Sequence, residues 1–230
     1  MADYTFLGLV NELCRKVNEV AVTPSNFYTT VGFYDDAKNA VNRAIDYINL
    51  SQRYWRFNQQ RMAMNLVAGQ SRYDFPVNSR VIDFGSFVIK ADATLGNETK
   101  KLKVFDYDEY LKKYSEDEYS LSETTRGLPD KVIKPNSAEF IVHPVPRLAY
   151  PLTYEYFASP TPLVNYDDVP TIPEKYRLAI FYGAVGEVYD FRDNDQKAER
   201  YFALRDEIIK NMRKEEINRH VYAWSNVIGY

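Results

Sequence analysis

The sequence predicts an α+β protein: a helical bundle from N- and C-terminal helices, with a central antiparallel β-sheet or small sandwich. Three observations carry this. Apolar residues recur at helical spacing over residues 5–20 and 35–55; from Met62 the period falls to two; and after the proline-rich stretch "SPTPLVNYDDVPTIP" helical spacing returns over residues 173–216. These periods put apolar side chains on one face of a helix or of a strand. The chain is therefore expected to divide into N-terminal helices of the bundle (1–60), a central β domain (61–160), a C-terminal helical hairpin completing the bundle (161–216) and a docking tail (217–230).

The first helix, from Thr5 to about Val20, carries Phe6, Leu9, Val10, Leu13 and Val17 on one stripe, and Thr5 suits its N-cap. A loop with Thr23, Pro24, Ser25 and Asn26 follows. The second helix, from about Asp35 to Trp55, aligns Ala37, Val41, Ala44, Ile45, Ile48 and Trp55. It closes in "SQRYWRF", where cations and rings alternate. Rings of this kind stack on bases while arginines hold phosphates; alternatively the rings are buried and the arginines reach solvent. Because Trp55 continues the buried stripe, Trp55 and Phe57 are expected to form a core seam where helix meets sheet.

Met62, Met64 and Leu66 alternate, "AGQS" intervenes, and Tyr73 and Phe75 alternate up to Pro76. This predicts a hairpin turning at Gly69. Short strands are expected at 86–90, 101–105, 131–134, 139–143 and 152–158. "DYDEYLKKYS" predicts a short helix opening at Asp106, and "KPNSAE" a turn joining two strands. Pro173 suits the first turn of the next helix. That helix, to about Phe191, is apolar almost all round, the mark of burial on several sides. Gly183 and Gly186 permit close backbone approach, and with Tyr182 they mark a subunit or helix-packing face. "RDNDQ" breaks the helix, and Asp195 is the expected N-cap of a last helix that carries Ala198, Tyr201, Phe202, Arg205, Ile208, Ile209 and Met212 to about Glu216.

Composition argues against several classes of function. The net charge of −3 and pI of about 5.6 are not the basic footprint of a DNA-wrapping domain. Cys14 is the only cysteine, so no internal disulfide forms. His143 and His220 are the only histidines, and no Cys/His zinc spacing exists. Phosphate-loop, dinucleotide, H-E-x-x-H and G-x-S-x-G motifs are absent. The paired acids Asp35–Asp36, Asp106/Asp108 and Asp167–Asp168 sit at helix starts or in loops, where acids cap and solubilise. No enzyme, cofactor or metal is expected. The opening residues lack signal-peptide features and no apolar run approaches the ~20 residues that span a bilayer, so a chain made in the cytoplasm and without a membrane partner is expected. Aromatics reach 15%, with 20 Tyr and 13 Phe, and tyrosine favours interfaces. In the tail, Val221, Tyr222, Trp224, Val227, Ile228 and Tyr230 are apolar beyond the last helical stripe, and a docking arm is expected there.

Two segments carry a resemblance: "AVNRAIDYINLSQRYWRFNQQRMAMNLVAGQSRYDFP" and "IPEKYRLAIFYGAVGEVYDFRDNDQKAERYFALRDEI", separated by the β region. A helix ending in tryptophan and an aromatic, then a glycine turn and a Tyr–Pro strand, then a closing helix pair broken by aspartates, resembles the bacteriophage head-to-tail adaptor (connector) family, which includes tail tubular protein A of short-tailed phages. The similarity covers most of the chain in order, least so over 91–130. It implies a structural virion protein of the tail or neck: a homo-oligomeric ring, a dodecamer, docked beneath the portal protein through its C-terminal segment. It also implies a downstream tail or nozzle protein as partner, and genomic DNA passing through without sequence-specific binding. The alternative is a DNA-binding or metal-dependent nuclease-like phage component, marked by salt-sensitive duplex affinity or a carboxylate cluster.

Overall fold

The computed structural model describes residues 3–90, 99–120, 122–135 and 138–216. The chain forms two units, one of Met1–Asn58 with Ser159–Tyr230 and one of Gln59–Ala158.

The first unit is helical: α1 (Phe6–Lys16), α2 (Phe33–Leu50), α4 (Arg177–Phe191) and α5 (Asp195–Glu216). The first three residues of α1 all find acceptors for their free N–H groups. Gly8 N–H donates to Thr5 Oγ1 at 3.2 Å, while Phe6 and Leu7 donate to the carbonyls of Asp168 and Tyr166. The Asp168 carboxylate shapes that loop by accepting from the N–H of Val164 and of Asn165, each at 2.7 Å. Ahead of α2, Gly32 holds φ 68°, a left-handed conformation that glycine adopts without cost. α2 ends at Leu50, so Trp55 does not continue the helix as expected. It lies in the chain that folds back past the helix end.

The apolar surface of α4 is explained within the unit. α4 packs against α5, α2 and α1 and buries Ala179, Ile180, Gly183, Ala184, Val185, Gly186 and Val188. A 3₁₀ turn, Glu174–Tyr176, separates it from Pro173. The cap of α5 is shifted by one residue from the expected Asp195: Lys197 N–H donates to Asn194 Oδ1 at 3.4 Å, and Asp195 is the first helical residue.

The second unit is a small sandwich. One sheet has strand order β1 (Gln59–Asn65), β10 (Pro151–Ala158), β3 (Ser79–Ile89), β4 (Lys100–Lys101). The other runs β2 (Arg72–Asp74), β8 (Glu139–His143), β7 (Lys131–Ile133), β5 (Lys103–Phe105). A short pair joins β6 (Arg126–Gly127) to β9 (Val145–Pro146). Both large sheets contribute to one core, where Phe87 and Tyr154 stack at 4.4 Å and Phe140 meets them edge-on at 5.1 and 5.5 Å. The helix α3 (Tyr107–Lys113) opens at Asp106, whose carboxylate accepts from Asp108 and Glu109 N–H. α+β therefore holds, with antiparallel pairing predominant; β5–β7 and β6–β9 are parallel.

The expected hairpin at Gly69 is not formed. β1 pairs with β10 and β2 with β8, so the chain crosses from one sheet to the other. Gly69 still turns the chain, at φ 80°. The turn is stitched by the Tyr73 hydroxyl, which accepts from Val67 N–H at 2.9 Å and donates to Gln70 O at 2.8 Å. The β7–β8 pairing, in contrast, is the antiparallel one expected around "KPNSAE".

Candidate assembly surfaces

Trp55 and Phe57 belong to the core of the helical unit. Trp55 has no exposed surface. Its Nε1–H donates to Ile48 O at 2.8 Å, and the rings of Trp55 and Phe57 stack with centroids 5.3 Å apart. A ring so enclosed cannot stack on a base, whereas Arg53 and Arg56 of the same stretch are exposed. Behind it, buried Asn58 donates to Asn49 Oδ1 at 2.6 Å, and Asn49 donates to Ile45 O at 2.9 Å. This chain of amides ties the fold-back segment to the end of α2.

Gly183 and Gly186 mark close approaches inside the chain. A Cβ at Gly183 would lie 2.8 Å from Ala44 Cβ on α2 and 3.2 Å from Arg205 Cδ on α5; one at Gly186 would lie 2.4 Å from the Phe202 ring. Tyr182 is half-buried, 6.0 Å from the Tyr201 ring. Arg205 is the residue whose role composition did not expose. It is buried, with its guanidinium 3.6 Å from the Tyr47 ring centroid and 4.7 Å from that of Phe202, and its Nε–H donates to Asp206 at 2.9 Å. A cation on an otherwise apolar stripe was the available signal, since such a position needs rings or acids to receive the charge.

The helical unit also presents apolar side chains to solvent. Tyr28 and Tyr166 meet edge-to-face at 6.3 Å, and Val20, Val31, Leu50 and Phe191 are exposed. A shallow cleft of about 130 Å³ between α2 and α4 is lined by Asp36, Asn39, Arg43, Glu187 and Phe191, with Arg43 and Glu187 paired at 3.5 Å.

In the β unit, Arg72 forks between two carboxylates, Glu118 and, at 2.7 Å, Glu139. Tyr110 donates to Glu118 at 3.2 Å. Burial alone would raise the Glu118 carboxyl, but the Arg72 guanidinium overrides it and holds it below its usual range. His143 is stacked on Tyr114 at 4.2 Å, and burial, aided by the Lys131 ammonium, pushes its imidazole below its usual range. Burial also pushes the Cys14 thiol up to about 11, against any nucleophilic use. Among the described residues no group of three or more His, Cys, Asp or Glu could hold a metal ion, and no helix is long and apolar enough to cross a membrane.

The Tyr154 hydroxyl is buried with no hydrogen-bond partner among the described residues, and burial pushes its pKa up to about 12. A buried hydroxyl left unpaired costs about 1–3 kcal/mol. Tyr154→Phe is therefore expected to leave the unfolding midpoint of the protein unchanged or to raise it, with rings and stacking kept. A clear drop in midpoint would show that the hydroxyl has a partner.

The expected docking residues Val221, Tyr222, Trp224, Val227, Ile228 and Tyr230 lie outside the described residues. Within them, Gly183, Gly186, Trp55 and Phe57 pack inside the helical unit. Residues 4–227 match the SU10 adaptor protein family. The chain belongs to that family and is a phage structural adaptor protein. No individual curated protein matches it.

Proposed function

We propose that this adaptor is a ring-forming connector of the virion neck, a dodecamer joining the capsid portal to a downstream tail or nozzle protein, with genomic DNA passing through its channel. Family membership across residues 4–227 carries the reading. Two features support it. The net charge of −3 avoids the sequence-independent phosphate attraction that would hold passing DNA. The helical unit keeps exposed apolar residues, Tyr28, Leu50 and Phe191 among them, after its glycines have been used for packing within the chain. In this reading residues 1–60 and 161–216 build the helical part of each subunit, 61–160 the β part, and 217–230 the arm that docks on the portal or a neighbour. Native mass spectrometry of the purified protein, alone and with portal, tests it. A dodecameric ring is the expected result. A chain that stays monomeric at every concentration, even beside its portal, overturns the ring; salt-sensitive duplex affinity would instead mark a DNA-binding component.

A further inference from the structure

We propose that residues 221–228 of one copy add as a strand to the open edge of β1 in a neighbouring copy. The inference rests on the ring reading above and assigns the segment and the edge that join subunits.

Among the described residues β1 has a single sheet neighbour, β10. Leu66 N–H, just past the strand, donates to Tyr150 O at 2.8 Å. In an antiparallel ladder the direction of backbone groups alternates. Met64, Met62 and Gln60 therefore bond to β10, and Asn65, Ala63, Arg61 and Gln59 turn their N–H and C=O groups away from it. Pro151 agrees with this phase: it stands opposite Asn65, where the ladder asks for no N–H. Among the described residues no strand lies beside the outward groups of β1.

The other terminal strands are guarded, and the stretch of β3 that β4 leaves uncovered, Ser79–Ser86, carries Arg80 and Asp83 and pairs with β10 in an irregular register. β4 consists of Lys100 and Lys101, β5 opens with Lys103, and β2 is three residues long. Lysines and short length are the ordinary means of preventing edge pairing. β1 has neither. It runs for seven residues, QQRMAMN, in unbroken register with β10, and Arg61 is its only charge. An edge left open in this way suits a strand from outside.

The tail supplies a strand of matching length and chemistry. "VYAWSNVIGY", residues 221–230, has no charged residue and is rich in β-branched and aromatic side chains. At a period of two, Tyr222, Trp224, Asn226 and Ile228 share one face, and Val221, Ala223, Ser225 and Val227 the other. β1 has two unlike sides as well. Met62 and Met64 are half-buried against the sandwich core, while Arg61, Ala63 and Asn65 are exposed. The large face of the tail extends the Met62–Met64 side, and its small face lies beside Ala63. A closing ring needs two different surfaces on every copy, and a strand donor with a strand acceptor is such a pair.

The test uses the full-length protein. Ala63→Pro removes an outward N–H and leaves the bonds to β10 in place; Ala63→Lys keeps the backbone and adds an edge charge. Both are expected to melt as the wild type does while the ring population falls by about tenfold or more. Separately, Ala63→Cys protein is mixed with Val221→Cys, Ala223→Cys or Ser225→Cys protein under mild oxidation, buried Cys14 giving little background. At least one mixture should yield a disulfide between the two different variants. The inference is overturned if no mixture does, or if rings of both Ala63 variants form normally. Wild-type protein that forms no ring sinks the ring reading instead, and the mixed disulfide still reports strand addition on its own.

Discussion

Trp55→Ala is expected to destabilise the helical unit by about 3–5 kcal/mol, the cost of truncating a fully buried tryptophan. Trp55 has no exposed surface and stacks on Phe57, so alanine leaves a void that the fold-back segment can fill only by moving. The substitution also removes a donor from Ile48 O, a carbonyl in the last turn of α2 that the helix itself does not satisfy. Ser51 Oγ donates to the same carbonyl at 2.7 Å, so that part of the loss is small. Trp55→Phe separates the two effects. It keeps most of the volume and loses the donor, and about 1 kcal/mol is expected. Urea unfolding, with the slope unchanged, reads both. A Trp55→Ala protein that melts as the wild type while losing affinity for nucleic acid would return this ring to the surface.

The same residue shows what was legible in the sequence. Trp55 lies seven positions after Ile48, two helical turns, so periodicity extended α2 to it. The chain leaves the helix at Leu50, and the ring reaches the same core by folding back. Helical stripes reported which face is buried, and they served well for α5 and for α1, although α1 stops at Lys16 rather than near Val20 and the buried Val17 is its C-cap. Alternation reported the strands around Met62 and Tyr73 but not their partners. Two strands flanking a glycine turn look like a hairpin whether they pair with each other or with strands about 90 residues away, as β1 does with β10. The first half of β3, from Ser79, was missed because its side chains are half-buried on both faces and show no clean alternation. The candidate surfaces divide likewise. The glycines of α4 declared a close approach, yet a missing side chain cannot say which neighbour approaches, and the neighbours are Ala44 and Phe202 of the same chain. The open edge of β1 could not be read at all before the sheet order was known.

Gly183→Leu is the second large effect, expected to cost more than about 3 kcal/mol, at or beyond the upper end for an overpacked core. The reason lies in what the added carbon meets. The Ala44 Cβ, 2.8 Å away, is fixed to the backbone of α2, with Ala44 Cα itself at 3.5 Å, so relief requires α2 and α4 to part. Arg205 Cδ, at 3.2 Å, belongs to a long side chain, but its guanidinium is held against Tyr47 and Phe202. Gly183→Ala is milder. Its clash, about 1–3 kcal/mol, is partly offset by about 0.5–1 kcal/mol gained from replacing a helical glycine. Gly186→Ala should cost less than its 2.4 Å contact suggests, because Phe202 is half-buried and its ring can swing outward. The decisive comparison is Gly183→Ala combined with Ala44→Gly, which moves the methyl group from one helix to the other. Coupling between touching residues runs to about 0.5–3 kcal/mol, so the double variant should recover much of the loss. Unfolding of dilute protein, at concentrations where no ring forms, is the measurement. Should Gly183→Leu unfold there like the wild type and fail only in assembly, the glycine faces another subunit, and the contact with Ala44 is not what requires it.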